Sequence, residues 1–344
     1  MNRALAFARS RRLATKAGIN VAILLLLVAG LALISEHFLS FENLRNVLRQ
    51  ISVVAIVASA VTLVMVAGGL DLSVGGVVAL SGVVSALLAV NGLPIPLAFA
   101  AGVATGALVG FINGFLVVQM GLNSVIATLG TLYMAKGVAS LITGGVPVHN
   151  VPAGYSTIGT GFVAGIPIPV IVMLAVVAVF AVLQRATLLG KFAIAIGSNF
   201  EAARLAGIRV NAVRMTLYVL SGTMAGLGGI LISSRLSSGQ PTAASGREFD
   251  VIVAAILGGV SLAGGEGSVI GTLIGALILG VISNGLNILG VEPFWQTILQ
   301  GVILVVAVSI DIVLRGSGRR LLRRLRGGLA VRRGETGASS DDTS

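Results

Sequence analysis

The sequence predicts an all-α polytopic membrane protein of about ten transmembrane helices, some of them broken, and three observations carry that prediction. Of 344 residues, 56% are hydrophobic and 10% charged, with a mean hydropathy of +1.04, whereas an ordinary soluble domain carries about 25% charge. Apolar runs recur at the length of about 20 residues that crosses a hydrocarbon core. The basic residues gather in three blocks, Arg3 to Lys16, Arg185 to Arg214 and Arg315 to Arg333. Each block flanks an apolar run, which is how Lys and Arg mark the cytoplasmic side.

On that ruler the spans fall near 18–35, 51–68, 75–91, 95–118, 124–142, 166–184, 212–233, 249–263, 267–289 and 295–313. The first reads as a span and not a cleaved signal, because Ile19 to Ile34 lacks a small-residue cleavage site. An even count puts both termini and the loop after the sixth span on one side, and all three basic blocks with them. The third and eighth spans are short and Gly-rich, so either could be broken or re-entrant, which is tolerated where protein or water shields the backbone. Glycine is abundant, at 47 residues, and suits close helix contact in lipid.

The chain thus divides into a basic cytoplasmic N-terminus (1–17), a transmembrane domain (18–314) with a cytoplasmic loop at 185–211, and a cytoplasmic tail (315–344). The tail is Arg-rich with interspersed Leu, which suits anionic lipid, and its last residues have the composition of disorder. "SFENLRNVLRQ" (40–50) pairs a Ser cap with Leu44, Val47 and Leu48 at helical spacing, predicting a short amphipathic helix in the interface. The stretch 143–165 is rich in Gly and Pro and predicts an ordered loop. "GGLDLSVGG" from Gly68 and "GGVSLAGGE" from Gly258 echo each other, by internal duplication or by chance in a Gly-rich chain.

Catalytic chemistry has little material. There is no Cys, which excludes disulfides, thiolate metal sites and Cys nucleophiles. His37 and His149 fall in loops without partners nearby in sequence. No H-E-x-x-H, G-x-S-x-G or G-x-x-x-x-G-K-[ST] occurs, so the chain has no P-loop of its own and reads as a non-enzyme without metal or bound cofactor. Nucleic acid is excluded as a partner because the positive charge sits at span ends.

Asp71, in "VMVAGGLDLSVGG" (64–76), is an acid in a long apolar context. At a helix centre it would cost about 2.5–3.5 kcal/mol, so it either lines a transport path or, with Ser73, caps the start of the third span after the Gly pair. Lys136, inside the fifth span, either snorkels to an interface or faces a cavity. Asn113, Asn123, Thr128, Thr131, Asn284 and Asn287 can hydrogen-bond a polyol or a neighbouring helix.

"GSNFEAARLAGI" (197–208) is a polar island between two spans. Asn199 suits an N-cap, Glu201 the first turn, Arg204 the last, and Gly207 a left-handed stop. Ala202, Leu205 and Ala206 share a face. A helix this short does not hold in water, where about 12–15 residues are already marginal. It needs packing from its own membrane domain or from a cytoplasmic partner.

These stretches, with "FENLRNVLRQ", "LNSVIATLGTLYMAKGVASLITGG" and "DVIVAAILGGVSLAGGEGSVIGTLIGALILGVISNGLNILGV", occur in family order over about 40–313. The chain resembles the permease subunit of ribose-type bacterial ABC sugar importers. The resemblance implies a multi-pass subunit of the bacterial cytoplasmic membrane that moves a sugar or similar polar solute inward and pairs with a second copy or a paralogue. A cytoplasmic ABC ATPase using ATP and Mg drives it, and an extracytoplasmic solute-binding protein supplies it. "NFEAARLAGI" then matches the coupling helix, through Asn199, Glu201, Ala202, Ala203, Leu205 and Gly207. From polarity alone, the candidate path residues are Asp71, Ser73, Asn113, Asn123, Thr128, Asn284 and Asn287. Val125 departs from the Phe common in the family. The rival reading is a self-sufficient secondary transporter, which wants ionisable residues within its spans and has only Asp71 and Lys136 to offer.

Overall fold

The computed structural model describes residues 2–292, 294–306, 308 and 309, with side chains from residue 18 onward. The tail predicted at 315–344 and the end of the last span lie outside the described residues. The protein is an all-α polytopic membrane protein. Among the described residues, six helices are long and apolar enough to cross a membrane, and further apolar helices are shorter.

In chain order these are α1 (Asn2–Ile34), α2 (Phe41–Val66), α3 (Val74–Val90), α4 (Ile95–Gly114) and α5 (Ser124–Thr143). A short α6 (Thr157–Thr160) and a hairpin, β1 (Phe162–Val163) with β2 (Ile166–Pro167), precede α7 (Ile168–Ala186). Then come α8 (Leu188–Ser198), α9 (Phe200–Leu205), α10 (Val210–Leu236), α11 (Arg247–Leu257) and α12 (Val269–Ile288). The last is α13 (Phe294–Val306).

α2 is the axis of the bundle. Every residue from Ile51 to Val66 is buried, and the helix packs against α7, α10, α11 and α12. A helix apolar on all sides belongs in such a position. The segment 40–50, expected as a separate interfacial helix, is instead the first part of α2. No breaker separates Gln50 from Ile51, so the helix propagates once Ser40 has capped it by accepting from Asn43 N. The arginines of this segment contact the chain itself. Arg45 donates to Gly165 O at 2.8 Å and lies over the Phe41 ring, and Arg49 stacks on Phe162 in the hairpin.

The tightest pairing joins α4 to α10. Gly102, Gly106 and Gly110 recur every fourth residue on α4, against Gly222 and Gly226 on α10. A Cβ on Gly106 would strike Gly222 O, and one on Gly110 would sit 3.1 Å from Gly222 Cα. This is small-residue packing of the kind that lets helix backbones touch in lipid. At the rim, Leu33, Leu141 and Phe294 are among the most exposed large apolar residues, as lipid contact requires.

Two segments interrupt the helices. Residues 67–73 join α2 to α3 without regular structure, yet Asp71, Leu72 and Ser73 are buried. α11 has only eleven residues, about 16 Å at 1.5 Å per residue, roughly half of a hydrocarbon core. The predicted eighth span at 249–263 therefore shortens to α11 and gives way to turns over 258–268. The loop predicted at 185–211 also contains a helix not anticipated, α8, which buries Gly190, Ala193 and Ile196.

Candidate functional site

α9 projects at the end of the bundle that carries Arg185, Lys191, Arg209 and Arg214. Its sequence determines its ends. Asn199 Oδ1 accepts from Ala202 N at 3.0 Å, and Gly207, at φ +79°, closes the C-terminus in the left-handed region that other residues enter at a cost of about 1–2 kcal/mol. Ile208 N and Gly207 N donate to Ala203 O and Arg204 O. Glu201 and Arg204 pair at 3.0 Å across one turn. Ala203 alone in the helix is buried. Ala202 and Ala206 are exposed and Leu205 is 82% exposed. The face expected from the sequence to need a partner therefore has none among the described residues. Open clefts of about 550 and 430 Å³ flank it, walled by Phe200, Arg204 and Met215 on one side and Leu189, Phe192 and Gly207 on the other.

The chain entering α9 rests on both helix interruptions. Gly197 lies at the end of α8, Gly68 opens the 67–73 segment at φ +79°, and Gly264 lies in the 258–268 turns. A Cβ on Gly264 would fall 2.9 Å from Gly68 Cα and 3.2 Å from Gly197 Cα. One on Gly197 would strike Val66 O, which already accepts from Gly265 N at 2.8 Å. Three backbone segments thus meet with no side chain between them. Gln184 at the end of α7 adds a clamp, donating to Gly267 O at 3.1 Å and accepting from Val269 N at 2.9 Å. The two echoed stretches seen in the sequence meet at this point.

Beyond Gly68 the buried segment is held by polar side chains. Asp71 Oδ1 accepts from Ser73 N (3.0 Å) and Ser73 Oγ (2.6 Å), and Oδ2 accepts from Ser221 Oγ on α10 at 2.6 Å. Ser73 Oγ accepts from Asn113 Nδ2 at 2.7 Å, and Asn113 Oδ1 accepts from Thr131 Oγ1 at 2.6 Å. Leu72 N donates to Thr128 Oγ1 at 3.1 Å and Leu70 N to Ser124 Oγ at 3.2 Å. Ser73 is the residue before α3, without a side-chain cap bond of its own; Asp71 binds its N–H. The cluster ties the interruption to α4, α5 and α10, and each of Asp71, Ser73, Asn113, Thr128 and Ser221 is 0% exposed.

Of the seven residues singled out for a path, four therefore come together and three do not. Asn123 caps α5, accepting from Val125 N at 2.9 Å. Asn284 exchanges two hydrogen bonds with Asn43 on α2, at 3.0 and 2.8 Å. Asn287 accepts from Gln296 on α13 at 2.7 Å. Lys136 neither snorkels nor stands alone: it pairs with Glu248 of α11 at 3.0 Å, with 27% of the Lys side chain and 4% of the Glu side chain exposed. Ser221, Ser124, Gln184 and the glycines at 197 and 264 were not read from the sequence. Nothing local distinguishes Ser221 from the other serines of a long helix; only its distant partner does. Among the described residues, no group of three or more His, Cys, Asp or Glu is placed to hold a metal ion.

Comparison with known proteins covers the same stretch. Residues 43–308 match the family described as the permease component of branched-chain amino acid transport systems. The ribose import permease protein RbsC of Escherichia coli (strain K12) is 42% identical over 315 residues, 88% of this chain and 96% of the relative. The RbsC of Haemophilus influenzae is 40% identical over 295 residues, 84% and 90% of the two chains. The L-arabinose ABC transporter permease protein AraH of Azospirillum brasilense is 36% identical over 322 residues, 92% and 95% of the two. No solved structure matches the chain.

Proposed function

The chain belongs to the permease-component family, among the ribose-type ABC import permeases, and from that premise we propose that it carries a pentose or related sugar into a bacterial cell as the non-catalytic membrane subunit of an ABC importer. The family's description names branched-chain amino acids, whereas relatives similar along nearly the whole chain are named for ribose and arabinose; likeness over 84–92% of this chain favours the sugar.

The observation that carries the reading is α9. A capped helix of six residues with an exposed Leu205 and clefts on both sides is a structure that another protein completes. In this account its partner is a cytoplasmic ABC ATPase, which binds ATP and Mg on its own chain, while this chain binds neither. A solute-binding protein meets the opposite end of the bundle, and a second permease copy or paralogue completes the path. Helices α1 to α5, α7, α10, α12 and α13, together with the stretch 237–257 that ends in the half-length α11, supply ten traverses of the bacterial inner membrane. That arrangement puts α9, the basic residues around it and both termini on the cytoplasmic side, as the positive-inside pattern favours.

Mechanically, ATP-driven movement of the partner displaces α9 and with it Gly197. Gly197 touches both helix interruptions, so the displacement reaches the 67–73 segment and α11–α12 directly. The Asp71 cluster then passes it to α4, α5 and α10 as a unit. Asp71, Ser73, Asn113 and Thr128 act in this account as a joint within the subunit, and solute contacts lie elsewhere. Of the ionisable residues that a self-sufficient secondary transporter was expected to use, Asp71 and Lys136 are both bound to partners inside the chain.

The test is reconstitution in proteoliposomes with the ATPase and binding protein encoded beside it. Uptake of D-ribose or L-arabinose that requires ATP and survives an uncoupler supports the reading. Uptake that ignores ATP and collapses with the uncoupler contradicts it.

A further inference from the structure

In the half of the bundle remote from α9, a cavity of about 280 Å³ lies between α2, α11, α12 and α13. Its apolar lining residues include Ile51, Val54, Ala276 and Leu279, and its polar ones include Gln50 on α2, Arg247 and Asp250 on α11, Ser283 on α12 and Gln300 on α13. Among the described residues, the side chains of Gln50, Asp250, Ser283 and Gln300 find no hydrogen-bond partner in the chain. In this they differ from the Asp71 cluster, whose groups satisfy one another. Asp250 has the charge of Arg247 one turn away on α11 but no hydrogen bond to it, so its carboxylate and the three neutral side chains keep hydrogen-bonding capacity for a guest.

We propose that this cavity is a sugar-binding subsite on the extracytoplasmic half of the import path, with Asp250 and Gln300 as its principal hydrogen-bonding residues. The assignment rests on the sugar-import reading above. A monosaccharide has an apolar C–H face and hydroxyls that both donate and accept around its edge. The apolar side chains suit the first. The polar ones suit the second: Asp250 can accept from two hydroxyls, Arg247 can donate, and the two amides and Ser283 can do either. The volume lies just below the range of about 300–1,000 Å³ typical of small-molecule sites, which admits one sugar ring and not a disaccharide. A zwitterionic amino acid would satisfy Arg247 and Asp250 and leave both amides idle.

The chain contains no cysteine, so Ser283→Cys places a single thiol in the cavity. The complete transporter carrying it, in nanodiscs, is exposed to a small charged methanethiosulfonate reagent with D-ribose, L-arabinose or L-leucine present. The proposal expects labelling that one of the sugars slows and leucine does not. Asp250→Asn in the same background should raise the sugar concentration needed for protection about tenfold, the loss of one charge-assisted hydrogen bond. Gln300→Leu should shift the preference between the two sugars in uptake assays.

Three results overturn the assignment: a thiol that never labels, one that labels in detergent but is shielded in nanodiscs by lipid, or one that leucine alone protects. It also falls if labelling ignores both sugars while Asp250→Asn and Gln300→Leu import them normally. Sugar uptake by the wild type under those conditions leaves the importer reading standing and removes only the cavity. If the wild type imports neither sugar, the importer reading fails and takes the subsite with it.

Discussion

Gly264 and Gly197 lie backbone to backbone: a Cβ on the first would fall 3.2 Å from the Cα of the second. The two residues are far apart in sequence, one in the turns after the half-length α11, the other at the foot of the helix that projects from the membrane domain. With Gly68 they form a contact that has no side chain to absorb a displacement. Movement of α9 therefore has a short route to both interruptions.

That contact makes Gly197→Ala informative. The added methyl meets Val66 O and Gly265 N, and forcing packed backbone apart typically costs about 1–3 kcal/mol. The purified complex should still assemble, and sugar-stimulated ATP hydrolysis should fall about tenfold, the effect of a 1.4 kcal/mol shift. Gly130→Ala, where the new Cβ meets nothing within 4 Å, should leave stimulation unchanged. Equal behaviour of the two variants would remove Gly197 from the transmission route.

Asp71 separates a joint from a path. Asp71→Ala leaves the Ser73 N–H and the Ser73 and Ser221 hydroxyls without their acceptor, and leaving a buried donor unsatisfied costs about 1–3 kcal/mol. Thermal unfolding in detergent should show destabilisation of about 3 kcal/mol or more, with Ser221→Ala costing about 1–2 kcal/mol. A path residue would behave otherwise, losing transport while the melting temperature held.

The Lys136–Glu248 pair predicts strong non-additivity. Lys136→Met strands a Glu248 side chain that is 4% exposed, and breaking a buried pair typically costs about 3–5 kcal/mol. Lys136→Met combined with Glu248→Gln should recover most of that loss. A double-mutant cycle on unfolding measures the coupling; additive losses would show that the pair does not join α5 to α11.

What the sequence conveyed depended on range. Span positions followed from hydropathy over a window, and the ends of α9 from Asn199 and Gly207, because caps act within a turn. Misreadings came where a feature belonged to a distant partner. The 40–50 segment looked like a separate interfacial helix until Gly165 and the Phe162 ring stood beside Arg45 and Arg49. Asn284 looked available to solute until Asn43, 241 positions away, took both its amide atoms. Ser221 carried no signal at all, since its acceptor lies 150 positions off. Asn123, in contrast, carried a local signal: it precedes an apolar run as a cap does, and it caps α5.

The measurement that bears most directly on the account is co-purification of the ATPase with this chain, comparing wild type with Glu201→Arg and Ala202→Asp. Neither substitution touches the packed side of α9, where Ala203 is the buried residue, so the membrane domain should fold and extract normally. The account predicts that the ATPase is lost from both variants while the permease remains intact. Full retention of the ATPase with undiminished sugar-stimulated hydrolysis would contradict it, and α9 would then be a connector between helices and not the site through which ATP drives import.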